Sequence, residues 1–449
     1  MRVSDALGER LRELFASNQP DPHGEPDWQK LACALALRQR LTVISGGPGT
    51  GKTTTVVRLL ALLQTPAVEA GKPLRIRLAA PTGKAAARLT ESIGRQVGAL
   101  PVDDAVRDAI PTEVSTLHRL LGSLPDSRHF RHHAGNPLAL DVLVVDEASM
   151  IDLEMMANVL DALPPQARLV LLGDKDQLAS VEAGAVLGDL CRRADAGCYS
   201  AATLEWLQQV SGQSLAESGL QPGDETTHLL EQQTAMLRHS HRFGADSGIG
   251  ELARAVNRCD ATAARDLLQR GQFADIHSRR LQDLRDPEFA ALVLGSEGGL
   301  PGYGAYLSTL QAQRPGADAM ADDPRWQAWA GDVLRAFDRF QLLCAVRRGD
   351  WGVEGINQRV ADLLTRRGLL HADKLWYEGR PVLVTRNDYS NLELISTIST
   401  METFQKIYRP EIYNCSVLRL RTTSGFFNLR TTLFFHTFNF FLLLNANTR

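Results

Sequence analysis

One stretch restricts this chain more than any other: Gly46-Gly47-Pro48-Gly49-Thr50-Gly51-Lys52-Thr53. It fits the spacing G-x-x-x-x-G-K-[ST], and it lies between the apolar run Leu41-Thr42-Val43-Ile44-Ser45 and a helical pattern. Glycines at these places keep side chains out of the way, so backbone N–H groups at a helix N-terminus can wrap phosphate oxygens. A Gly-rich turn followed by a chance Lys-Thr is the plainer alternative, and the strand before and helix after count against it. Gly46, Gly47, Pro48, Gly49, Thr50, Gly51, Lys52, Thr53 and Thr54 are therefore the candidate cradle for a nucleoside triphosphate. Lys52 is placed to reach the β- and γ-phosphates, and the Thr53 hydroxyl to hold Mg2+. A loop of this kind needs a buried strand feeding a helix, so the expected fold class is α/β.

Further apolar runs at Ile76–Ala80, Val142–Val145 and Leu169–Leu172 are each followed by a turn and a helical pattern. Strands alternating with helices predict a parallel sheet covered on both faces, with its ligands at the C-terminal ends of the strands. Val145 runs into Asp146-Glu147 there. Asp146 can hold Mg2+ through its water shell, and Glu147 can orient an attacking water. A strand ending in solvated acids is the alternative, and the glycine loop upstream favours the catalytic pair. The third strand leads into Gly173-Asp174-Lys175-Asp176-Gln177, where Gln177 is a candidate sensor of the γ-phosphate. Asp-Lys-Asp reads equally well as a solvated turn. Thr82-Gly83-Lys84, between a strand and a helix, offers a hydroxyl, a backbone N–H and an ammonium to a phosphate. Thr82 as an ordinary helix cap stands beside that reading.

Composition narrows the class. The 449 residues suffice for two or three cores, and a net charge of −3 announces no nucleic-acid partner, although a basic groove fits within a neutral total. Six scattered cysteines form no CxxC pair, which argues against a zinc site or a disulfide framework. The N-terminus has no apolar run of signal-peptide type, so a cytoplasmic location is expected. His129, His132 and His133 could suggest a metal cluster, a reading that the family resemblance given below replaces with a small hairpin. Asn18–Gly24 reads as a linker, residues 195–235 as irregular, and Gly250–Arg258, Ala261–Gln269 and Trp326–Phe340 as helices before an apolar strand at Pro381–Thr385. Beyond Tyr389 the composition changes: eight of fifteen Phe lie between Phe404 and Phe441, Asp is absent, and Ala occurs once. That segment reads as a tail unrelated to the rest, of the kind a frameshift or chimeric assembly leaves. Its run Leu433–Leu444 is too short to span a bilayer.

Seven segments in order resemble a superfamily 1 helicase of the RecD family, the alpha subunits of exodeoxyribonuclease V. They are Trp28-Gln29-Lys30, Ile44–Thr55, Ala80–Ala86, Ser115–Leu120, Val145–Met150, Gly173–Gln177 and Ser240-His241-Arg242-Phe243. The resemblance covers roughly residues 25–388. It implies a P-loop NTPase with tandem RecA-like motor domains built on parallel sheets, the cleft between them closing on ATP. By the same resemblance Gln29 reads the adenine edge, Gln177 couples nucleotide to DNA, and Arg242 approaches the γ-phosphate from the second motor domain. Thr82, Lys84, Thr116 and His118 would lie along single-stranded DNA, tracked 5′→3′. Residues 123–138 resemble the family's small inserted hairpin. Trp376–Pro381 also matches, its aromatics fitting a core better than a base-stacking platform.

The expected organisation is a short lead over 1–24, a first motor over 25–233, a partial second motor over 234–389 and the Phe-rich tail over 390–449. The expected activity is ATP hydrolysis with Mg2+, coupled to 5′→3′ DNA unwinding in break repair and recombination. Single-stranded DNA, duplex ends, and RecB- and RecC-like subunits are the implied partners, with the nuclease assigned to the RecB-like one. Two departures bear on this. Only about two dozen residues precede Trp28, where family members carry a domain that meets the partner subunit. The family's Thr-Val-His-Lys-Ser-Gln-Gly-like stretch and second arginine have no match in the tail. The second motor is thus expected to be incomplete, and the chain to turn ATP over slowly without unwinding duplex. Two rivals stay open: an inactive fragment that binds nucleotide only, and a P-loop NTPase that does not act on nucleic acid.

Overall fold

The computed structural model describes residues 5–16, 25–124, 127–177, 186–216, 218–244, 246–281, 283, 285–295, 301–316, 319–320, 323–371 and 377–381, and the backbone of 440–444. The chain divides into two compact units, Met1–Gly244 and Ala245–Arg449.

The first unit is built on six strands: β1 (Leu41–Gly46), β2 (Ile76–Ala80), β3 (Val114–Thr116), β4 (Val142–Val145), β5 (Arg168–Gly173) and β6 (Thr234–Leu237). They lie in the order β3-β2-β4-β5-β1-β6, and every pairing is parallel. Consecutive strand residues face opposite sides, so Val43, Leu143, Val145 and Leu171 enter one core while Ile44, Val144, Val170 and Leu172 enter the other. Two apolar faces need two covering layers, which is why these strands read as continuous Val/Leu/Ile runs.

Helices supply the layers. α1 (Asp5–Leu14), α2 (Trp28–Arg38), α3 (Lys52–Glu69), α4 (Gly83–Gly98) and α5 (Asp104–Asp108) precede β3 or lie between the early strands. α6 (Leu117–Leu121), α7 (Leu153–Ala162), α8 (Val186–Leu190) and α9 (Ala201–Ser211) complete the unit. α3 buries Val56, Leu59, Leu60 and Leu62 with Ile44 and Leu78. Each such side chain contributes about 1.5–3 kcal/mol when withdrawn from water.

Two expectations need correction. The stretch 195–235 is not irregular throughout: Ser200 caps α9 by accepting from the Thr203 N–H, and Trp206 donates to the Ala34 carbonyl at 2.7 Å. The first unit also runs past residue 233, because β6 pairs with β1 from Val43↔Thr234 to Gly46↔Leu237. The lead residues likewise join this core through Leu11, Leu14 and Phe15.

The second unit holds α10 (Gly248–Asn257), α11 (Ala261–Arg270), α12 (Pro287–Leu294), α13 (Tyr303–Ala312), α14 (Pro324–Phe337) and α15 (Val353–Arg366). β7 (Ile276–Arg280) pairs antiparallel with β8 (Phe440–Leu444). Phe289, Val293, Tyr303, Tyr306, Leu307, Phe340 and Ile356 form its core, with Tyr377 packed against them. Among the described residues this unit shows no parallel sheet, so the tandem arrangement expected from sequence is seen in its first half only. Trp376 and all but the first residue of the strand expected at Pro381–Thr385 lie outside the described residues.

Candidate active site

The C-terminal ends of β1, β4 and β5 carry the polar residues that the sequence singled out. After β1 the loop turns sharply through Gly49 (φ +79°) and Gly51 (φ +83°), a backbone region that only glycine enters without strain. Space is also short there. A Cβ on Gly49 would lie 2.5 Å from the Arg242 Cβ, and one on Gly51 would lie 2.2 Å from the Gln29 Nε2. α3 then opens on Lys52, with Thr53 and Thr54 in its first turn. Its leading N–H groups therefore face the loop, as anion binding requires. Lys52 Nζ donates to the carbonyls of Gly46 at 2.6 Å and Gly47 at 3.2 Å.

Asp146 and Glu147 end β4. Asp146 is half-buried and accepts the Glu147 N–H at 2.8 Å. Glu147 sits at φ 54°, ψ 37°, a left-handed conformation costing roughly 1–2 kcal/mol for a side-chain-bearing residue. A 3₁₀ turn over Ala148–Met150 holds it there. Burial raises the Asp146 carboxyl above the ordinary carboxylate range, and burial together with the Asp146 charge raises Glu147. Asp174, at the end of β5, is raised by burial as well, and the Lys52 charge partly offsets the rise in all three. The turn after β5 is thus not a solvated one. Lys175 N–H donates to Ser45 Oγ, and its ammonium pairs with Asp176 at 2.9 Å and Asp195 at 3.0 Å. Gln177 accepts from the Ser149 hydroxyl at 3.2 Å, which ties the β5 turn to the residues following Glu147.

Gln29 and Arg242 are legible in the sequence, but the contacts that hold them are not. Asp27 caps α2 by accepting from Gln29 N and Lys30 N, which directs Gln29 at the loop. Gln29 Nε2 lies 3.1 Å from the Thr50 carbonyl and 3.0 Å from His241 Nε2. Ser240 Oγ donates to the Pro48 carbonyl at 2.9 Å, and the His241 N–H to the Gly49 carbonyl at 2.9 Å. Residues just past β6 therefore clasp the loop. Arg242 lies within the first compact unit, not on a second motor domain as the resemblance implied, because β6 carries this stretch back to β1. Its guanidinium is pulled below its usual value by burial alone. Arg238 stacks 4.2 Å over the Trp28 ring, and His239 reaches Glu25 at 3.0 Å. A cluster of Ser, His and Arg just past a short strand was the signal that could have located this clasp.

The residues proposed for nucleic acid lie elsewhere along the same sheet edge. β2 and β3 are neighbours, with Ala80 opposite Thr116. Thr82 caps α4 by accepting the Ala85 N–H, and Thr116 caps α6 by accepting the Arg119 N–H, each at 3.3 Å. His118 meets Phe130 edge-on, with centroids 5.9 Å apart. Phe130 belongs to the predicted hairpin, whose bridges pair Ser123 with Phe130 and His133 with Asn136. Lys84 stands in the first turn of α4, one residue after Gly83.

Comparison with known proteins bears on this arrangement. The AAA domain family model matches residues 29–183, the span from Gln29 through β5. A model named for the oxygenase MesX matches residues 381–422, of which only Pro381 is described. The RecBCD enzyme subunit RecD of Haemophilus influenzae is 36% identical over 394 residues, covering 86% of this chain and 58% of the relative. Its namesake in Mycolicibacterium smegmatis is 41% identical over 365 residues, covering 80% and 54%. The ATP-dependent RecD2 DNA helicase of Deinococcus radiodurans is 38% identical over 207 residues, 43% of this chain and 26% of that one. A solved structure of Pif1 helicases on forked DNA aligns at 18% identity and a TM-score of 0.30, over 60% of this chain and 58% of that one. That likeness is too slight to argue from. The chain spans a little over half the length of the RecD subunits it matches. Among the described residues no helix is long and apolar enough to cross a membrane.

Proposed function

We propose that this chain, which is 36% identical to a RecD subunit across 86% of its own length, is an ATP-driven 5′→3′ motor on single-stranded DNA. Its setting would be a RecBCD-like complex in break repair and recombination. One observation carries the reading: Lys52, Asp146 and Glu147 meet at one sheet edge beside a loop in which a Cβ on Gly46, Gly49 or Gly51 would collide with its neighbours.

The chemistry follows from these side chains. Lys52 offers a fixed positive charge to the transferred phosphoryl group. Glu147, raised and poised near a second acid, accepts a proton from the attacking water. The donor set also fits Mg2+: Thr53 and Asp146 would hold it, since three acids at one sheet edge stay raised by burial despite the Lys52 charge, and a further cation would compensate them. When bound, the ion would neutralise charge on the phosphate oxygens. Gln177, linked through Ser149 to the residues after Glu147, is the coupling residue in this reading, and Arg242 supplies a second positive contact. Thr82, Lys84, Thr116 and His118 take phosphates of the strand, since the edges of β2 and β3 present two helix N-termini side by side.

Steady-state ATP hydrolysis by the full chain, with and without single-stranded DNA, tests the proposal. A saturable stimulation by DNA is expected, and turnover indifferent to saturating DNA would sink it in favour of an NTPase unconnected with nucleic acid. Tailed duplexes with 5′ or 3′ overhangs, offered to the chain with its partner subunits, test the polarity. Movement from the 3′ overhang would reverse it.

A further inference from the structure

The turn after β5 holds a cation to which the phosphate chemistry assigns no part. The side chain of Lys175 is only 16% exposed, and its ammonium lies between the carboxylates of Asp176 at 2.9 Å and Asp195 at 3.0 Å. Burial works against this charge, and the bonds to the two carboxylates outweigh it, so the group stays a cation. Asp176 is the next residue along the chain. Asp195 comes from the turns that follow α8, so this contact fastens two separate segments. The backbone of Asp195 is itself braced: its carbonyl accepts from Arg238 at 2.7 Å, and the Arg238 guanidinium stacks 4.2 Å over the Trp28 ring. On the other side, the Lys175 N–H donates to the hydroxyl of Ser45, which is fully buried near the end of β1. Lys175 is thus held at both ends, its backbone by β1 and its ammonium by Asp195. Gln177 stands two residues further on, where it meets Ser149 at 3.2 Å.

We infer that Asp195 is a positioning residue for ATP hydrolysis: by holding the Lys175 ammonium from a braced backbone, it fixes the turn that carries Gln177. The inference rests on the proposed reading of Gln177 as the coupling residue. Gln177 serves that role only while its amide stays beside Ser149 and the residues after Glu147. A turn released at Lys175 spreads the amide over other positions, and misplacement by about 1 Å costs rate. The plain alternative is an ion pair that adds a little stability and nothing else. The Asp195 side chain is 67% exposed, and a pair with one partner so exposed adds little to the stability of the whole fold. A kinetic loss without a thermal one therefore marks positioning.

The test measures ATP hydrolysis by the full chain with saturating single-stranded DNA, beside thermal melts. Asp195→Ala removes the carboxylate and keeps the carbonyl that Arg238 uses. Its kcat should fall about three- to fivefold, the scale of one part-exposed ion pair, with the KM for ATP and the Tm unchanged. Asp195→Glu, which restores a carboxylate to Lys175, should recover most of the loss. In a Gln177→Ala background the Asp195→Ala change should cost nothing further, because the turn then has no amide to place. Such non-additivity is what a separate structural role would not produce. An undiminished kcat in Asp195→Ala overturns the inference. So does an equal loss in the Gln177→Ala background, or a fall in Tm that accompanies the fall in kcat. Parent-level hydrolysis in Gln177→Ala alone instead overturns the reading of Gln177, which separates the two failures.

Discussion

Lys52 donates to the Gly46 and Gly47 carbonyls while its charge offsets three acids that burial has raised. Lys52→Ala should cut ATP turnover by about 10²–10³-fold or more, because this is the main fixed charge for the phosphoryl group. Parent-level hydrolysis in that variant would remove the assignment of the loop. Glu147→Gln keeps the shape but cannot take up a proton. ATP affinity should hold while the hydrolysis rate drops on the order of 10²-fold or more, and a loss of binding instead would make Glu147 structural. Asp146→Asn tests the electrostatics without nucleotide or Mg2+. The folded pKa of Asp146 is raised, so the stability tied to its protonated form is complete below its unfolded pKa. It is lost as pH rises through the folded one. The amide keeps an acceptor for the Glu147 N–H and carries no charge. It should therefore raise the melting temperature at neutral and higher pH, with the gain fading on acidification. A variant less stable than the parent across that whole range would contradict it.

Helix starts carry the next level of argument. Thr82 and Thr116 are caps, the plainer reading of Thr82, yet a hydroxyl that accepts one N–H still has its own proton to give to a phosphate. Thr82→Ala should therefore cost about 1 kcal/mol of stability and also weaken single-stranded DNA binding, whereas Thr82→Ser should preserve both. Thermal melts beside DNA titrations separate the roles, and full DNA affinity in Thr82→Ala would leave the cap alone. Lys84→Ala should lower the slope of log affinity against log salt by about 0.7, one phosphate's worth on a single strand. An unchanged slope would mean that Lys84 meets no phosphate. Periodicity made α2, α10, α11 and α14 legible, because an apolar stripe against polar neighbours is a local signal. α9 was not, since it ends at Ser211-Gly212 and Gln221-Pro222-Gly223 follows, a loop composition that masks the short helix just before it.

At the scale of the molecule, all the residues proposed for the nucleotide lie in the first compact unit, on a sheet that already has six strands and two cores. Residues 1–244 expressed alone should bind ATP with an affinity within about threefold of the full chain's, a difference under 1 kcal/mol. Calorimetry on the two proteins checks it, and a folded fragment that fails to bind would show that the second unit contributes to the ground-state site. The full chain should hydrolyse ATP slowly and should not separate duplex on its own, as a strand-displacement assay can read. Processive unwinding by residues 1–449 would contradict that.

The sequence by itself determined the glycine loop, the acid pair after β4, the strand order of appearance and the covered parallel sheet. Each of these is written in neighbouring residues: a spacing, an apolar run or a strand that ends in carboxylates. What only the tertiary structure decided depends on strands far apart in the chain becoming neighbours. β6 lies nearly 190 residues beyond β1 in sequence yet pairs with it, and that pairing moves the unit boundary past residue 233. It also brings Ser240, His241 and Arg242 onto the loop and sets His241 within hydrogen-bond distance of Gln29. Periodicity records which face of a strand is apolar, but not which distant strand supplies the next hydrogen-bonded edge.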